Sequence, residues 1–73
     1  MNIKELRELS GLTQWELAQQ SRINRMRIRL TECGQLELRS DEDRAVRKVL
    51  LGVIEFRAAQ IKRVLSSREP VTV

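Results

Sequence analysis

Residues 13–34 constrain the fold more than any other stretch, because they indicate two short helices joined by a tight turn. Thr13 is a favourable N-cap, and Glu16 three residues later completes a capping box that satisfies the free amides of a helix start. The helical pattern breaks around Arg22 and resumes after Asn24, a second N-cap candidate. The sequence therefore predicts a helix-turn-helix unit within residues 13–34.

The second helix of this unit has one apolar and one basic face. Ile23 and Ile28 are expected to point inward, like Leu17 and Ala18 of the preceding helix. Its outward face carries four arginines, with only Glu32 opposing them near the end: Arg22, Arg25, Arg27 and Arg29. A short basic helix held at an angle by a preceding helix suits insertion into the major groove of DNA. The alternative is an ordinary solvated basic face.

The same stretch resembles a known family. Residues 11–18 fit the start of the helix-turn-helix of the phage-repressor and Cro-like regulators, the Xre-like family, almost without gaps. Ile23, Ile28, Glu32 and Gly34 continue the family pattern. The resemblance implies an all-α, lambda-repressor-like domain of four to five helices, here with an extended C-terminal helix.

The resemblance covers about residues 3–51, and two positions depart from the family pattern. Arg22 stands where a glycine usually forms the turn, and a left-handed arginine there would cost about 1 kcal/mol. The turn can therefore tolerate this conformation or adopt a different geometry. Thr31 stands where a bulky apolar residue usually packs inward.

The resemblance also implies which residues contact DNA. The helix Asn24–Cys33 would lie in the major groove and contact bases through Arg25, Met26, Arg29 and Leu30. Arginine matches guanine O6 and N7 with two hydrogen bonds, and Met26 and Leu30 would touch thymine methyl groups. Gln14 takes the DNA-backbone contact that a glutamine makes in the family. The predicted phosphate contacts are Gln14, Trp15, Arg22, Asn24 and Arg27.

Two of these residues have an alternative interpretation. Trp15 could instead pack on the first helix or a neighbour, and Leu30 could belong to the core in place of Thr31. Cys33 is expected to be an inert residue in the last turn of its helix.

Residues 1–11 predict a further helix before this unit, capped by Asn2 with Glu5 in the capping-box position and ended by Gly11. Its apolar face comprises Ile3, Leu6 and Leu9. This helix is expected to pack behind the helix-turn-helix.

After Gly34 the sequence predicts a connecting segment and then one long helical stretch. Leu36 and Leu38 are expected to anchor the connection to the core. Ser40 is the predicted cap, with Asp43 in the capping-box position and acidic residues suited to the positive helix start. Whether the helix continues through Gly52, bends there or ends there is left open.

The helical stretch carries two apolar stripes. The first is expected to close the core: Val46, Val49, Leu50 and Val53. The second lies beyond the body and predicts a dimer interface: Ile54, Ala58, Ile61, Val64 and Leu65. Together the apolar positions span roughly 220°, about twice what one packing face needs. Folding back of the last helix onto its own domain is the alternative.

The predicted organisation is therefore a DNA-binding body over residues 1–51, a C-terminal dimerisation helix over residues 52–67 and a frayed tail over residues 68–73.

Composition narrows the classes of function. A chain of 73 residues with net charge +4 and a pI near 10.2 forms one small domain and favours a polyanionic partner. Because there is no histidine and Cys33 is the single cysteine, we expect no enzyme, metal, cofactor or small-molecule ligand. Without a signal peptide, a span of transmembrane length or a disulfide framework, a cytoplasmic protein with no membrane partner is expected.

The leading hypothesis is a transcription regulator that binds double-stranded DNA as a homodimer. The second is a protein-interaction module, antitoxin-like or anti-repressor, that uses the apolar face of the C-terminal helix.

Overall fold

Four α-helices make up the computed structural model of the protein, which describes residues 1–68. They are α1 (Ile3–Ser10), α2 (Gln14–Ser21), α3 (Arg25–Glu32) and α4 (Ser40–Arg68), with no strand in this range. The all-helical class with a long C-terminal helix is confirmed. None of these helices is long and apolar enough to cross a membrane. The predicted tail, apart from Arg68, lies outside the described residues.

The first two helices begin where local chemistry predicts. The Asn2 side chain accepts a hydrogen bond from the Glu5 amide at 2.8 Å and caps α1. At α2 the capping box is complete, because Thr13 Oγ1 accepts from the Glu16 amide while Glu16 Oε1 accepts from the Thr13 amide. Gly11 ends α1 in a left-handed conformation with φ 77°.

The turn between α2 and α3 tolerates an arginine in the left-handed conformation. Arg22 ends α2 with φ 62° and ψ 26°, and it is the one non-glycine residue with positive φ among residues 1–68. Asn24 then caps α3 by accepting a hydrogen bond from the Met26 amide at 2.8 Å. The three-residue turn therefore holds two short helices close together, as the sequence predicts.

The start of α4 corrects one prediction. Arg39, not Ser40, is the N-cap residue of α4, because its carbonyl accepts a hydrogen bond from the Asp43 amide at 2.8 Å. Glu42 Oε1 accepts from the Arg39 amide at 3.0 Å and so takes the position predicted for Asp43. The register shifts by one residue because Glu42 is also held by Arg27 from α3.

The helix α4 continues through Gly52 without a break, which answers the question left open by the sequence. The core is formed where the three short helices pack on the first half of α4: Ile3, Leu6, Leu17, Ile28, Val46 and Leu50 are buried. Half-buried residues extend this core: Leu12, Ala18, Ile23, Leu38, Val49 and Ile54. Leu9, predicted to be on the inner face of α1, is instead exposed over 56% of its surface.

The contact between α4 and the body reaches beyond residue 51. Arg57 Nη1 donates to the Ser10 carbonyl at 2.8 Å, at the end of α1. A Cβ atom at Gly11 would collide with the guanidinium of Arg57, so Gly11 provides space as well as positive φ. The body therefore extends to about Arg57, and we call residues 58–68 of α4 the overhang.

The overhang leaves apolar side chains on the surface. Ile61 and Leu65 are 59% and 58% exposed, and Phe56 just before the overhang is 63% exposed. Ala58 and Val64 are also exposed, whereas Ile54, assigned with them to a dimer interface, packs partly on its own core. The last helix does not fold back onto the body, and the described chain is elongated, measuring 54 × 19 × 19 Å.

Candidate functional site

A groove of about 520 Å³ lies between the start of α2 and the exposed face of α3. Arg7, Leu12 and Thr13 line it together with five residues predicted to contact DNA: Gln14, Trp15, Arg25, Met26 and Arg29. The walls come from two helices that the capping box and the Arg22 turn hold in fixed relation. The fold thus brings together most of the residues predicted from the helix-turn-helix.

Three arginines at this surface have no anionic partner among residues 1–68. Arg25 and Arg29 lie on α3, and Arg22 lies in the turn before it; all three are exposed. Met26 and Trp15 beside them are 54% and 53% exposed, so Trp15 does not pack into the core. The surface combines unpaired positive charge with apolar side chains, which suits a polyanion that also offers apolar edges.

The first turn of α2 adds backbone donors to the same side of the groove. Thr13 and Glu16 satisfy each other's amides, and the Leu17 amide donates to the Thr13 carbonyl at 3.0 Å. The amides of Gln14 and Trp15 are given no acceptor by the part of the chain described. Together with the partial positive charge of a helix start, they can receive a phosphate oxygen.

The structure gives Arg27 a different role from the one predicted. Its Nε and Nη2 atoms donate to the two oxygens of Glu42 at 2.9 and 2.7 Å, so it faces α4 and not the exposed side of α3. The hydrogen bonds from Arg27 and from the Arg39 amide lower the pKa of Glu42. Arg27 therefore joins α3 to α4, and its contact with a phosphate stays a prediction that is not used in the proposal below.

The structure also gives the environment of three further residues in and before α3: Asn24, Leu30 and Thr31. The Asn24 side chain caps α3, although the residue itself is exposed at the surface. Leu30 and Thr31 are both half-buried, and neither belongs to the buried core. The Thr31 hydroxyl donates to the Arg27 carbonyl at 2.7 Å, which satisfies it within the helix. Leu30 thus stays partly accessible on the outer side of α3.

Glu32 differs from the sequence-based expectation and holds two residues that line the groove, Arg7 and Gln14. It was expected to face outward, yet its side chain is only 4% exposed. Arg7 donates to both of its oxygens, from Nε at 2.7 Å and from Nη2 at 2.9 Å. Gln14 Nε2 donates to Glu32 Oε1 at 3.2 Å, and Arg7 Nη1 donates to the Leu12 carbonyl at 3.0 Å. One carboxylate therefore joins α1, α2 and α3.

The charges of this cluster stabilise each other. Burial raises the pKa of Glu32, but hydrogen bonds from Arg7 and Gln14 outweigh it, and the pKa of Glu32 falls below its ordinary value. The hydrogen bond to Glu32 raises the pKa of Arg7. The cluster fixes the Gln14 side chain at the edge of the groove. Sequence periodicity carried a signal for it, because Glu32 lies four residues after Ile28 and so on the same face as that buried residue.

No family model matches the chain, and comparisons with curated proteins and with solved structures find no significant match.

Proposed function

We propose that the protein is a lambda-repressor-like transcription regulator that binds double-stranded DNA sequence-specifically as a homodimer, with α3 in the major groove. The observation that carries this proposal is the exposed surface formed by α3 and the start of α2. Two unpaired arginines, Arg25 and Arg29, line the groove together with two exposed apolar side chains and the free amides of a helix start, and a third exposed arginine, Arg22, lies in the turn before α3. Major-groove recognition uses this combination: cations and amides for phosphates, arginine and apolar groups for base edges.

The proposal assigns a role to each residue of this surface. Arg25 and Arg29, with Met26 between them, face the base edges, and Leu30 contributes at the outer side of the helix. Gln14 and Trp15 contact one phosphate from the start of α2, Arg22 contacts another from the turn, and the exposed Asn24 contributes there. Fixed phosphate contacts of this kind set the orientation of the recognition helix on the duplex.

The experiment that tests the proposal is selection from random duplex DNA with the purified protein and with Arg25→Ala in parallel. We expect an enriched palindrome with half-sites one helical turn apart, and relaxed specificity at one base pair per half-site in the variant, at a cost of about 1–3 kcal/mol. Arg63→Ala is the matched control, because it removes the same charge from the exposed overhang and leaves the groove intact. Failure to enrich any sequence would overturn the proposal.

A protein-interaction module is the second candidate, and the exposed apolar side chains of the overhang favour it. In that case the overhang binds a different protein and α3 has no sequence preference. A wild-type chain that stays monomeric at high concentration and enriches no DNA would support this candidate.

A further inference from the structure

One side of α4, which is half-buried at Ile54 and exposed further along, carries a seam with the spacing of a coiled coil. Five apolar residues alternate in steps of three and four from the body into the overhang: Leu51, Ile54, Ala58, Ile61 and Leu65. This is the spacing of positions a and d of a heptad, which keeps one narrow stripe facing a partner helix. Leu51, Ile61 and Leu65 are 47%, 59% and 58% exposed, so the stripe is unpartnered over most of its length.

The residues on either side of the seam differ in charge. Counting from Leu51 as position a, Glu55 and Lys62 occupy the two e positions on one side. Arg57 and Val64 occupy the g positions on the other side. Charges at e and g determine the relative orientation of two helices, because they lie beside the partner's e and g residues.

The parallel and antiparallel orientations of a helix pair bring different charged residues of positions e and g beside each other. In a parallel pair, position g faces position e of the partner, so Arg57 would lie beside Lys62 of the second copy, twice. In an antiparallel pair, e faces e, so Glu55 would lie beside Lys62 of the second copy, also twice. The parallel arrangement therefore contains two repulsive contacts, and the antiparallel arrangement contains two attractive ones.

From this charge pattern we propose that the protein dimerises through an antiparallel pair of α4 helices, with Glu55 of each copy beside Lys62 of the other. In this register Ile54 packs against Leu65 of the second copy, and the small Ala58 packs against the larger Ile61. The two-fold axis lies between residues 59 and 60, with one Ala58–Ile61 layer on either side of it and one Ile54–Leu65 layer outside each of these. Symmetry then makes both halves of the interface identical.

This geometry rests on the homodimer of the proposed function and adds a spacing to it. The buried residues Val46 and Leu50 mark where the body sits on α4. The middle of that segment is about 11 to 12 residues from the two-fold axis, or about 17 Å at the rise of an α-helix. The two segments that carry the bodies are then about 35 Å apart along the helix pair, which is close to the separation of about 34 Å between half-sites one turn apart on DNA.

The test is charge exchange at the seam, read by sedimentation of the full chain over a range of concentrations. Glu55→Lys and Lys62→Glu should each weaken the dimer on the order of tenfold, since each replaces two attractive contacts with two repulsive ones. The double variant Glu55→Lys/Lys62→Glu should restore dimerisation. An equimolar mixture of the two single variants should form heterodimers more readily than either forms homodimers.

A parallel pair predicts the opposite result for one variant. Lys62→Glu would then place Glu beside Arg57 and strengthen the dimer, and that result would overturn the antiparallel arrangement while leaving a homodimer intact. A monomeric wild-type chain at high concentration would overturn both this arrangement and the homodimer of the proposed function. Circular dichroism of each variant checks that α4 remains helical, and Arg63→Ala at the outer f position should sediment like the wild type.

Discussion

Arg22 places an ordinary L-residue in a left-handed turn, and the strain and the charge of this residue act in opposite directions. Arg22→Gly should raise the free energy of unfolding by about 1 kcal/mol, because glycine adopts positive φ without a steric penalty. The same change should weaken DNA binding, because it removes a phosphate contact. Urea unfolding and DNA titration of the variant measure the two effects.

Arg22→Ala is the matched control for this prediction. It removes the charge but keeps a Cβ atom, so it should lose DNA affinity without gaining stability. Equal stability of the glycine and alanine variants would contradict the assignment of strain to this turn.

Glu32 should make the protein sensitive to acid. Its pKa is lower in the folded state than the ordinary value of 4.5, so the folded state binds fewer protons than the unfolded state. The stability contributed by this carboxylate is therefore fully present above about pH 4.5 and is lost as the pH falls through the lower pKa of the folded state. Glu32→Gln should flatten the slope of unfolding free energy against pH below that value.

Chemical unfolding at closely spaced pH values from 3 to 6 would measure this slope, with the wild type as reference. The variant is also expected to be less stable at neutral pH, because Arg7 loses its partner in a buried position. A slope that equals the wild-type slope would show that Glu32 does not titrate as its hydrogen bonds imply.

At the scale of single residues, the sequence predicted the hydrogen bonds that form between near neighbours in the chain. The caps at Asn2, Thr13 and Asn24 need only a side chain and an amide two or three residues away, so they were visible in the pattern. The pair of Arg7 and Glu32 joins residues 25 positions apart, and no local rule specifies such a contact. A charged residue on a helix was expected to be exposed, which is wrong for Glu32, whose side chain is only 4% exposed.

Glycines at different places in the helices and turns have different effects on the free energy of unfolding. Gly52 lies in the exposed interior of α4, and a Cβ atom there would meet no neighbour within 4 Å. Gly52→Ala should therefore stabilise the protein by about 0.5–1 kcal/mol. Gly11→Ala should destabilise it by at least about 1 kcal/mol. Alanine is strained at positive φ, and its Cβ atom would force Arg57 away from the Ser10 carbonyl.

Gly34 provides the control that separates these causes. It has φ 80°, but a Cβ atom there meets open space, so Gly34→Ala should show the cost of the backbone alone. Thermal or urea unfolding at one protein concentration compares the three variants. If Gly11→Ala is no more costly than Gly34→Ala, the contact between Arg57 and Ser10 contributes nothing measurable.

The spacing of apolar residues predicted that each helix exists. The start of α4 and its continuity through Gly52, however, depended on tertiary contacts. The two short helices of the helix-turn-helix have the predicted bounds because caps define them at both ends. Gly52 suggested a break in α4, but packing of Leu50 and Ile54 on either side of it keeps the helix continuous. Propensity at one residue is too weak to override that burial.

For the whole molecule, the proposed DNA contact predicts a strong dependence on salt. Each neutralised phosphate contributes a slope of about −0.9 in a plot of the logarithm of affinity against that of salt concentration. Arg22→Ala should reduce the slope by about 0.9 for each subunit that binds, and should do so for every DNA sequence alike. Arg63→Ala, with the same loss of charge on the overhang, should leave the slope unchanged.

Fluorescence anisotropy over a tenfold range of salt, with a specific and a random duplex, measures both slopes. Affinity that does not change with salt would contradict phosphate binding by this surface.

The single hydrogen bond from Arg57 to Ser10 also has a mechanical meaning. Beyond it, the overhang is a rigid rod about 16 Å long, because its helix is uninterrupted. A rotation of α4 by about 5° relative to the body would move the free end of the overhang by more than about 1 Å. In the proposed dimer, the separation of the two recognition helices therefore depends on how firmly each α4 is fixed to its body, to which the burial of Val46 and Leu50 and the bond from Arg57 to Ser10 both contribute.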